Sequence, residues 1–330
     1  MKLKCYHLIA LLAIVPAVSA AQITTIRRPE LATKIALPAR EPSMYVFDRY
    51  TLNNKDYLLH YMDDFAGKAH SSEFLSNGIQ GMAADRLGNV YVAVSVGESE
   101  PTYVKKMRFP QKFTGPLKRA TAVATDAQGR IYITDGTLGQ IFRIDDITGA
   151  NLVTLGTRGS GVGQFLNPSG IVVDKAGKIY VADYGNDRIV RVDDMNGEGW
   201  RTYDGKGTTG NWTTINVKGI AVDSKGRIYY ARPDAARIVR IDDMSGANLV
   251  TWGGSAAPLP GSFLINPESI SIDAQDRIFI ADPGSGFITR IDDMTGANRA
   301  VLNKDASGEL WKRPSLVTVF YPRADRTIIR

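Results

Sequence analysis

One short phrase recurs along this chain at a nearly constant interval: Ile131-Tyr132-Ile133-Thr134-Asp135, Ile179-Tyr180-Val181-Ala182-Asp183, Ile228-Tyr229-Tyr230-Ala231-Arg232 and Ile278-Phe279-Ile280-Ala281-Asp282. Each copy follows an Asp-x-x-Gly or Asp-x-x-Asp turn, and the leading Asp126, Asp174, Asp223 and Asp273 stand 48, 49 and 50 residues apart. Units of that size with four short strand-like segments each are the mark of stacked four-stranded sheets. A lone sheet of this kind cannot bury both faces, so units stack, and closing the stack into a ring protects the terminal sheets. The predicted fold is all-β, a β-propeller of four-stranded antiparallel blades.

A second element follows the first after about ten residues, within the same unit. It reads Ile144-Asp145-Asp146-Ile147-Thr148-Gly149, Val192-Asp193-Asp194-Met195-Asn196-Gly197, Ile241-Asp242-Asp243-Met244-Ser245-Gly246 and Ile291-Asp292-Asp293-Met294-Thr295-Gly296, with a weaker copy at Met62-Asp63-Asp64-Phe65-Ala66-Gly67. Between these marks, β-branched and aromatic segments such as Arg188-Ile189-Val190-Arg191-Val192 alternate as strands do. Units fall at about 34–75, 78–113, 118–156, 168–205, 216–254 and 267–303, which gives six blades in one domain spanning 34–330. Pro314-Ser315-Leu316-Val317-Thr318-Val319-Phe320 repeats the first strand of a unit, and is expected to close the ring by pairing near residues 44–48 and burying Leu316, Val317 and Val319. A competing count gives seven blades, with residues 22–30 and 314–330 forming a composite one, because Asp325-Arg326-Thr327-Ile328-Ile329 echoes Asp276-Arg277-Ile278-Phe279-Ile280.

The run Gly156-x-x-Gly159-x-Gly161-x-Gly163-Gln164-Phe165-x-x-Pro168-x-Gly170-Ile171-x-Val173-Asp174-x-x-Gly177-x-Ile179-Tyr180-Val181-Ala182-Asp183-x-x-Asn186-x-Arg188-Ile189 resembles the NHL repeat from end to end. The resemblance is good over 118–303, weaker over 34–75 and poor over 78–113, where Val94 stands in the Asp position and the Asp-Asp-Met-x-Gly turn is missing. That blade is read as decayed or adapted to another use. The resemblance implies that Asp135, Asp183, Asp282 and Asp48 help hold the following loop, with Asn186 and Arg188 in the same framework.

The N-terminus carries Lys2 and Lys4, an apolar run from Leu8 to Val18 and the small residues Ser19-Ala20-Ala21, the pattern of a secretory signal peptide cleaved after Ala20. Residues 1–20 are therefore expected to be removed, leaving an extension at 21–33 and an exported protein, periplasmic or secreted, expected to be a monomer without a membrane span. The single cysteine, Cys5, precedes the apolar run and leaves with it, so no disulfide or thiol chemistry is expected. Without Lys2 and Lys4 the chain holds 38 Lys and Arg against 34 Asp and Glu. No basic run accompanies that mild excess, and nucleic acid is not an expected partner.

The paired aspartates invite a calcium reading, but each pair belongs to a different blade and one ion needs six or more converging oxygens. Turn chemistry explains the spacing: the first Asp ends a strand, and the second caps a turn whose Gly takes positive φ. At the end of the second strand one unit breaks the rule, with Arg232 where the others place an anion. Loops between second and third strands and between units crowd one face around the central tunnel, a usual place for ligands. Arg232 is thus a candidate anchor for a carboxylate or phosphate, the plainer reading being an Arg paired with a neighbouring blade's Asp. Tyr184, Trp212 in the longer connection 206–216, Asp282 and Asp135 complete the ligand-binding candidates, whereas Trp252 reads as packing at the outer edge.

After signal removal only His60 and His70 remain, too few for the histidine set on which metal-dependent amidating lyases sharing this repeat rely. No nucleophile turn accompanies them. Asn167, Asn216, Asn266, Glu268 and Asp135 supply carboxylates and amides for a divalent cation, without a spacing that singles out a site. The expected function is a binding module that takes a protein, peptide or glycan on its loop face, with no cofactor. The alternative is a metal-assisted lyase or hydrolase with its site at the tunnel mouth.

Overall fold

The computed structural model describes residues 42–48, 57–62, 69–75, 78–95, 101–205, 214–254, 264–304 and 310–320. They form six four-stranded antiparallel sheets, and the only helical segments among them are two single 3-10 turns, Tyr184–Asn186 and Pro233–Ala235. No helix among these residues is long and apolar enough to cross a membrane. The expected signal segment, residues 1–20, and the extension 21–33 lie outside the described residues.

The first blade runs Pro314–Phe320, Ser43–Asp48, Tyr57–Met62 and Ala69–Leu75, from the ring's centre outward. The second holds Ile79–Ala84, Val90–Val94, Tyr103–Lys106 and Lys112–Phe113, and the third Ala120–Thr125, Ile131–Asp135, Gln140–Ile144 and Val153–Leu155. The fourth holds Gly170–Val173, Ile179–Asp183, Arg188–Val192 and Arg201–Tyr203. Ile220–Val222, Ile228–Arg232, Arg237–Ile241 and Val250–Gly253 make the fifth, and Ser269–Ile272, Ile278–Asp282, Phe287–Ile291 and Ala300–Leu302 the sixth. The innermost strands of all six together line one central cavity of about 410 Å³.

Ring closure follows the six-blade expectation and corrects the seven-blade one. Pro314–Phe320 is consumed as the innermost strand of the first blade, with Val46 opposite Val317 and Tyr45 opposite Thr318. Val317 is buried and Leu316 and Val319 are half-buried, and all three border the cavity. Closure lets the first and last parts of the described chain share one sheet and removes an edge open to foreign strands.

Packing lies between blades, since each sheet offers one face to each neighbour. Phe165 and Leu155 join Val181 and Val190 between the third and fourth blades, and Trp252 joins Ile270 and Ile280 between the fifth and sixth. Each fully buried side chain of this size contributes about 1.5–3 kcal/mol. Near the axis the innermost strands approach so closely that a Cβ on Gly219 would lie 2.7 Å from the Glu268 carbonyl oxygen. Glycine is needed there for space.

The turn reading of the aspartates is visible atom by atom on the face opposite the second-strand ends. Asp126 accepts the N–H groups of Gln128 and Arg130 at 2.9 Å, the Arg130 Nε at 2.6 Å and the Tyr132 hydroxyl at 3.1 Å. In the Asp-Asp turns, Asp146 accepts the Thr148 N–H at 2.8 Å and Asp145 accepts the Asn151 side-chain amide at 2.7 Å. Gly149 closes the turn at φ 89°. In the second blade this turn is replaced by Met107-Arg108-Phe109, with Arg108 in the left-handed region at φ 63°.

Candidate functional site

The mouth of the cavity on the other face is built from the residues that lead into each innermost strand, and the repeated aspartates fix their backbone. Asp135 accepts the N–H groups of Lys118 at 2.6 Å and Arg119 at 2.9 Å, and with its other oxygen those of Thr137 and Leu138 at 2.9 Å. Asp282 treats Ile265 and Asn266 in the same way, at 2.7 and 2.8 Å. Asp48 does so across the ring closure, accepting from Lys312 at 3.0 Å and Arg313 at 2.6 Å. A buried carboxylate is stabilised by such oriented donors, so the clamp and its burial require each other. Asp135 and Asp282 are 0% exposed, which places both candidate ligand residues within the framework beneath the mouth rather than on its surface.

Asp183 extends the clamp to the glycine-rich arm that precedes its blade. It accepts from the Leu166 N–H at 2.7 Å, Asn186 Nδ2 at 2.8 Å and Arg188 Nε at 2.9 Å. Burial raises this carboxyl's pKa, and those three hydrogen bonds oppose the rise. Arg188 also donates to the carbonyls of Ser160 and Gln164 at 2.8 Å, so the framework holds the arm before the blade as well as the loop that follows the second strand.

Arg232 is 5% exposed and donates to Asp234 of its own loop, at 2.8 Å through Nη2 and 3.3 Å through Nε. The carboxylate it displaces is replaced from the neighbouring blade. Asp187 accepts the N–H of Ile215 at 3.0 Å and of Asn216 at 2.6 Å, the same two positions that a second-strand Asp clamps elsewhere. Asp187 takes the left-handed place, φ 54°, that Gly139 and Gly286 occupy in other blades. The sequence signal was a pair of departures in adjacent blades, Asp for Gly followed by Arg for Asp, and neither departure alone reveals it.

With the framework assigned, two side chains per blade are left at the mouth, and their combination differs from blade to blade. The equivalent position in the segment leading into the innermost strand carries Arg119, Asn167, Asn216, Asn266 and Arg313 around the ring, with Gly78 in the second blade. Two residues further along stand Gln80, Thr121, Ser169, Lys218, Glu268 and Ser315, all lining the cavity. Lys218 Nζ lies 2.7 Å from the Glu268 carboxylate, which also accepts from Asn266 at 3.2 Å, and Arg119 donates to Asn167. Glu268 is the single carboxylate on the described lining. Among the described residues no three His, Cys, Asp or Glu side chains group as a metal centre. Tyr184 is 42% exposed in its loop, Trp252 is buried as packing predicts, and Trp212 lies outside the described residues.

Residues 165–191 match the family model described as the NHL repeat. The chain carries an NHL repeat. Its propeller is similar to a chain of a nidogen/laminin complex, with TM-score 0.61 and 15% identity over 84% of this chain and 98% of that one. A protein of unknown function from Bacteroides caccae is similar at TM-score 0.59 and 14% identity, over 85% of this chain and 99% of its own. Virginiamycin B lyase from Staphylococcus aureus reaches TM-score 0.48 at 17% identity, over 74% and 70% of the two chains, and has no bearing on activity here. At these identities the likeness is one of fold. No curated protein matches the sequence.

Proposed function

We propose that this NHL-repeat propeller is an exported interaction module, and that the cavity mouth on the face of the second-strand ends binds a protein or peptide partner. One observation carries the reading: within a single chain a carboxylate clamp holds the lead-in of five blades, while the pair of side chains presented there, Arg119 with Thr121, Asn167 with Ser169, Asn216 with Lys218 and Asn266 with Glu268, changes from sector to sector. A rigid scaffold that displays dissimilar polar groups around a concave centre has the anatomy of a recognition surface. The propeller seen in a nidogen/laminin complex lends support by fold analogy only. The proposed location, outside the cytoplasm, rests on residues 1–20 of the sequence.

The test is partner capture from envelope and culture fractions with the purified full chain. Lys218→Ala and Asn167→Ala are expected to lower capture, and Lys175→Ala on the opposite face to leave it unchanged. Equal capture by all three would overturn the assignment of the mouth.

A further inference from the structure

The second blade departs from the repeat in its outer turns as well as in its strands, and the departures there share one sense. On the face opposite the mouth, the turn between its first and second strands carries Arg86-Leu87, where the third to sixth blades carry Ala127-Gln128, Lys175-Ala176, Ser224-Lys225 and Ala274-Gln275. Strand register aligns the next turn: Lys106 lies opposite Tyr91 as Arg143 lies opposite Tyr132. Arg108-Phe109 therefore takes the place of Asp145-Asp146, and likewise of Asp193-Asp194, Asp242-Asp243 and Asp292-Asp293. In the outermost strand Lys112 stands where the other four blades have Thr154, Thr202, Thr251 and Val301. These five positions hold three cations and no acid in the second blade, against two acids and at most one cation in each of the four that follow.

Apolar groups are exposed among the cations. Leu87 is 39% exposed and Phe109 48%, and Lys106 Nζ lies 4.4 Å from the centre of the Phe109 ring. Lys112 Nζ stands in the same way 4.9 Å from the centre of Tyr103. The carboxylates that act on Tyr91 of this blade, Asp85 and Asp146, are committed to the N–H groups of their own turns, Asp85 to Leu87 and Asn89 at 2.8 and 2.9 Å and Asp146 to Thr148 at 2.8 Å. Arg108 holds φ 63°, a left-handed conformation that a long side chain enters only at a cost, which fits a turn kept for what it displays. This corner, residues 85–89 and 103–113, lies wholly within the described chain.

We propose that the outer corner of the second blade docks on an anionic membrane surface, with Arg86, Lys106, Arg108 and Lys112 among the lipid phosphates and Leu87 and Phe109 at the edge of the acyl layer. Charge complementarity draws the cations to a negative bilayer. The apolar pair decides between a bilayer and a dissolved polyanion, because only the bilayer removes apolar side chains from water. The flanking blades carry acid pairs, Asp145-Asp146 in the third and, by sequence, Asp63-Asp64 in the first, and these repel such a surface and confine contact to the second blade. The corner lies opposite the mouth, so a docked propeller keeps its mouth toward water, and the inference does not rest on what the mouth binds.

The test is co-sedimentation with vesicles of phosphatidylglycerol and phosphatidylcholine in equal parts, beside vesicles of phosphatidylcholine alone. The protein is used without residues 1–20, whose apolar run would itself bind lipid. Binding is expected with the anionic vesicles only and should fall with added salt. Arg108→Gln with Lys112→Gln is expected to weaken it about thirtyfold, and Leu87→Ser with Phe109→Ser about tenfold. Lys175→Gln with Lys225→Gln, which removes equal charge from two other turns of that face, should match the parent. Circular dichroism and melting verify that each variant is folded. Absence of binding to the anionic vesicles overturns the proposal, as does an equal loss in the Lys175 and Lys225 pair. Binding that depends on Arg108 and Lys112 but not on Leu87 and Phe109 also overturns it, since that is the behaviour of a site for soluble polyanions.

Discussion

Asp187 and Ile215 sit in neighbouring blades, and both oxygens of the Asp187 carboxylate accept the Ile215 N–H, at 3.1 and 3.0 Å. The fifth blade has Arg232 where a clamping Asp belongs, and its lead-in segment is held from next door. The exchange moves an anion to a half-buried position between blades and a cation into the framework, without leaving the Ile215 and Asn216 donors unsatisfied.

Removing that carboxylate should therefore cost what a buried unsatisfied donor costs. Asp187→Ala is expected to lower stability by about 1–3 kcal/mol in urea unfolding. Combining it with Arg232→Asp, which restores the clamp of the other blades, is expected to recover at least half of that loss. A double variant no more stable than Asp187→Ala would show that the two positions are not alternatives for one task.

The tyrosines that follow the turn aspartates make a prediction in alkali. Burial, with the adjacent Asp charge and hydrogen bond adding to it, pushes Tyr91, Tyr132 and Tyr180 up to about 12 from an ordinary 10.0. Folding favours their protonated form, so the stability they add is complete below pH 10 and is lost as the pH rises to about 12. Absorbance titration should show these phenols ionising together with unfolding, and Tyr132→Phe should flatten the alkaline loss. Free ionisation of all tyrosines near the ordinary value in the folded protein would contradict the burial.

Chelators should leave the fold intact, because hydrogen bonds occupy the Asp-Asp turns. Hydroxyls and N–H groups of Thr148, Ser245 and Thr295 hold the carboxyls of Asp146, Asp243 and Asp293 below the usual range. Their contribution is present above the ordinary carboxylate value and fades as the pH falls through the lowered one. An unchanged melting temperature in EDTA is the expected outcome; a large drop restored by calcium would show ion binding instead of turn chemistry.

The ring closure is equally accessible. Ending the chain at Asn303 removes the strand Pro314–Phe320 and the donors that Asp48 accepts, and should cost several kcal/mol, about the sum of a few ladder bonds and buried side chains. Size-exclusion chromatography should then show aggregation. A truncated protein that stays monomeric and melts as before would mean that the first blade is complete without this strand.

The blades and their closure were legible because a propeller repeats itself: the Ile-Tyr-Val-Ala-Asp strand and the Asp turns state the same local physics four times, and Pro314–Phe320 restates a first strand out of place. The mouth was less legible. Its residues recur at fixed places of the repeat, but in connectors whose residue types change from unit to unit, and Lys312 and Arg313 join them only through closure. Arg232 was conspicuous as a departure, yet its meaning depended on Asp187 of another blade. Asp135 and Asp282, named among the ligand-binding candidates, lie beneath the surface, because a repeated carboxylate next to four N–H groups is worth most where water is excluded.

The central claim is that partners bind the mouth face. Lysine cross-linking of the full chain to a captured partner, read by mass spectrometry, tests it directly, since Lys118, Lys218 and Lys312 lie on that face and Lys175 and Lys225 on the other. The account predicts cross-links at Lys118, Lys218 and Lys312, lost on competition with unlabelled protein. Cross-links concentrated at Lys175 and Lys225 would contradict it.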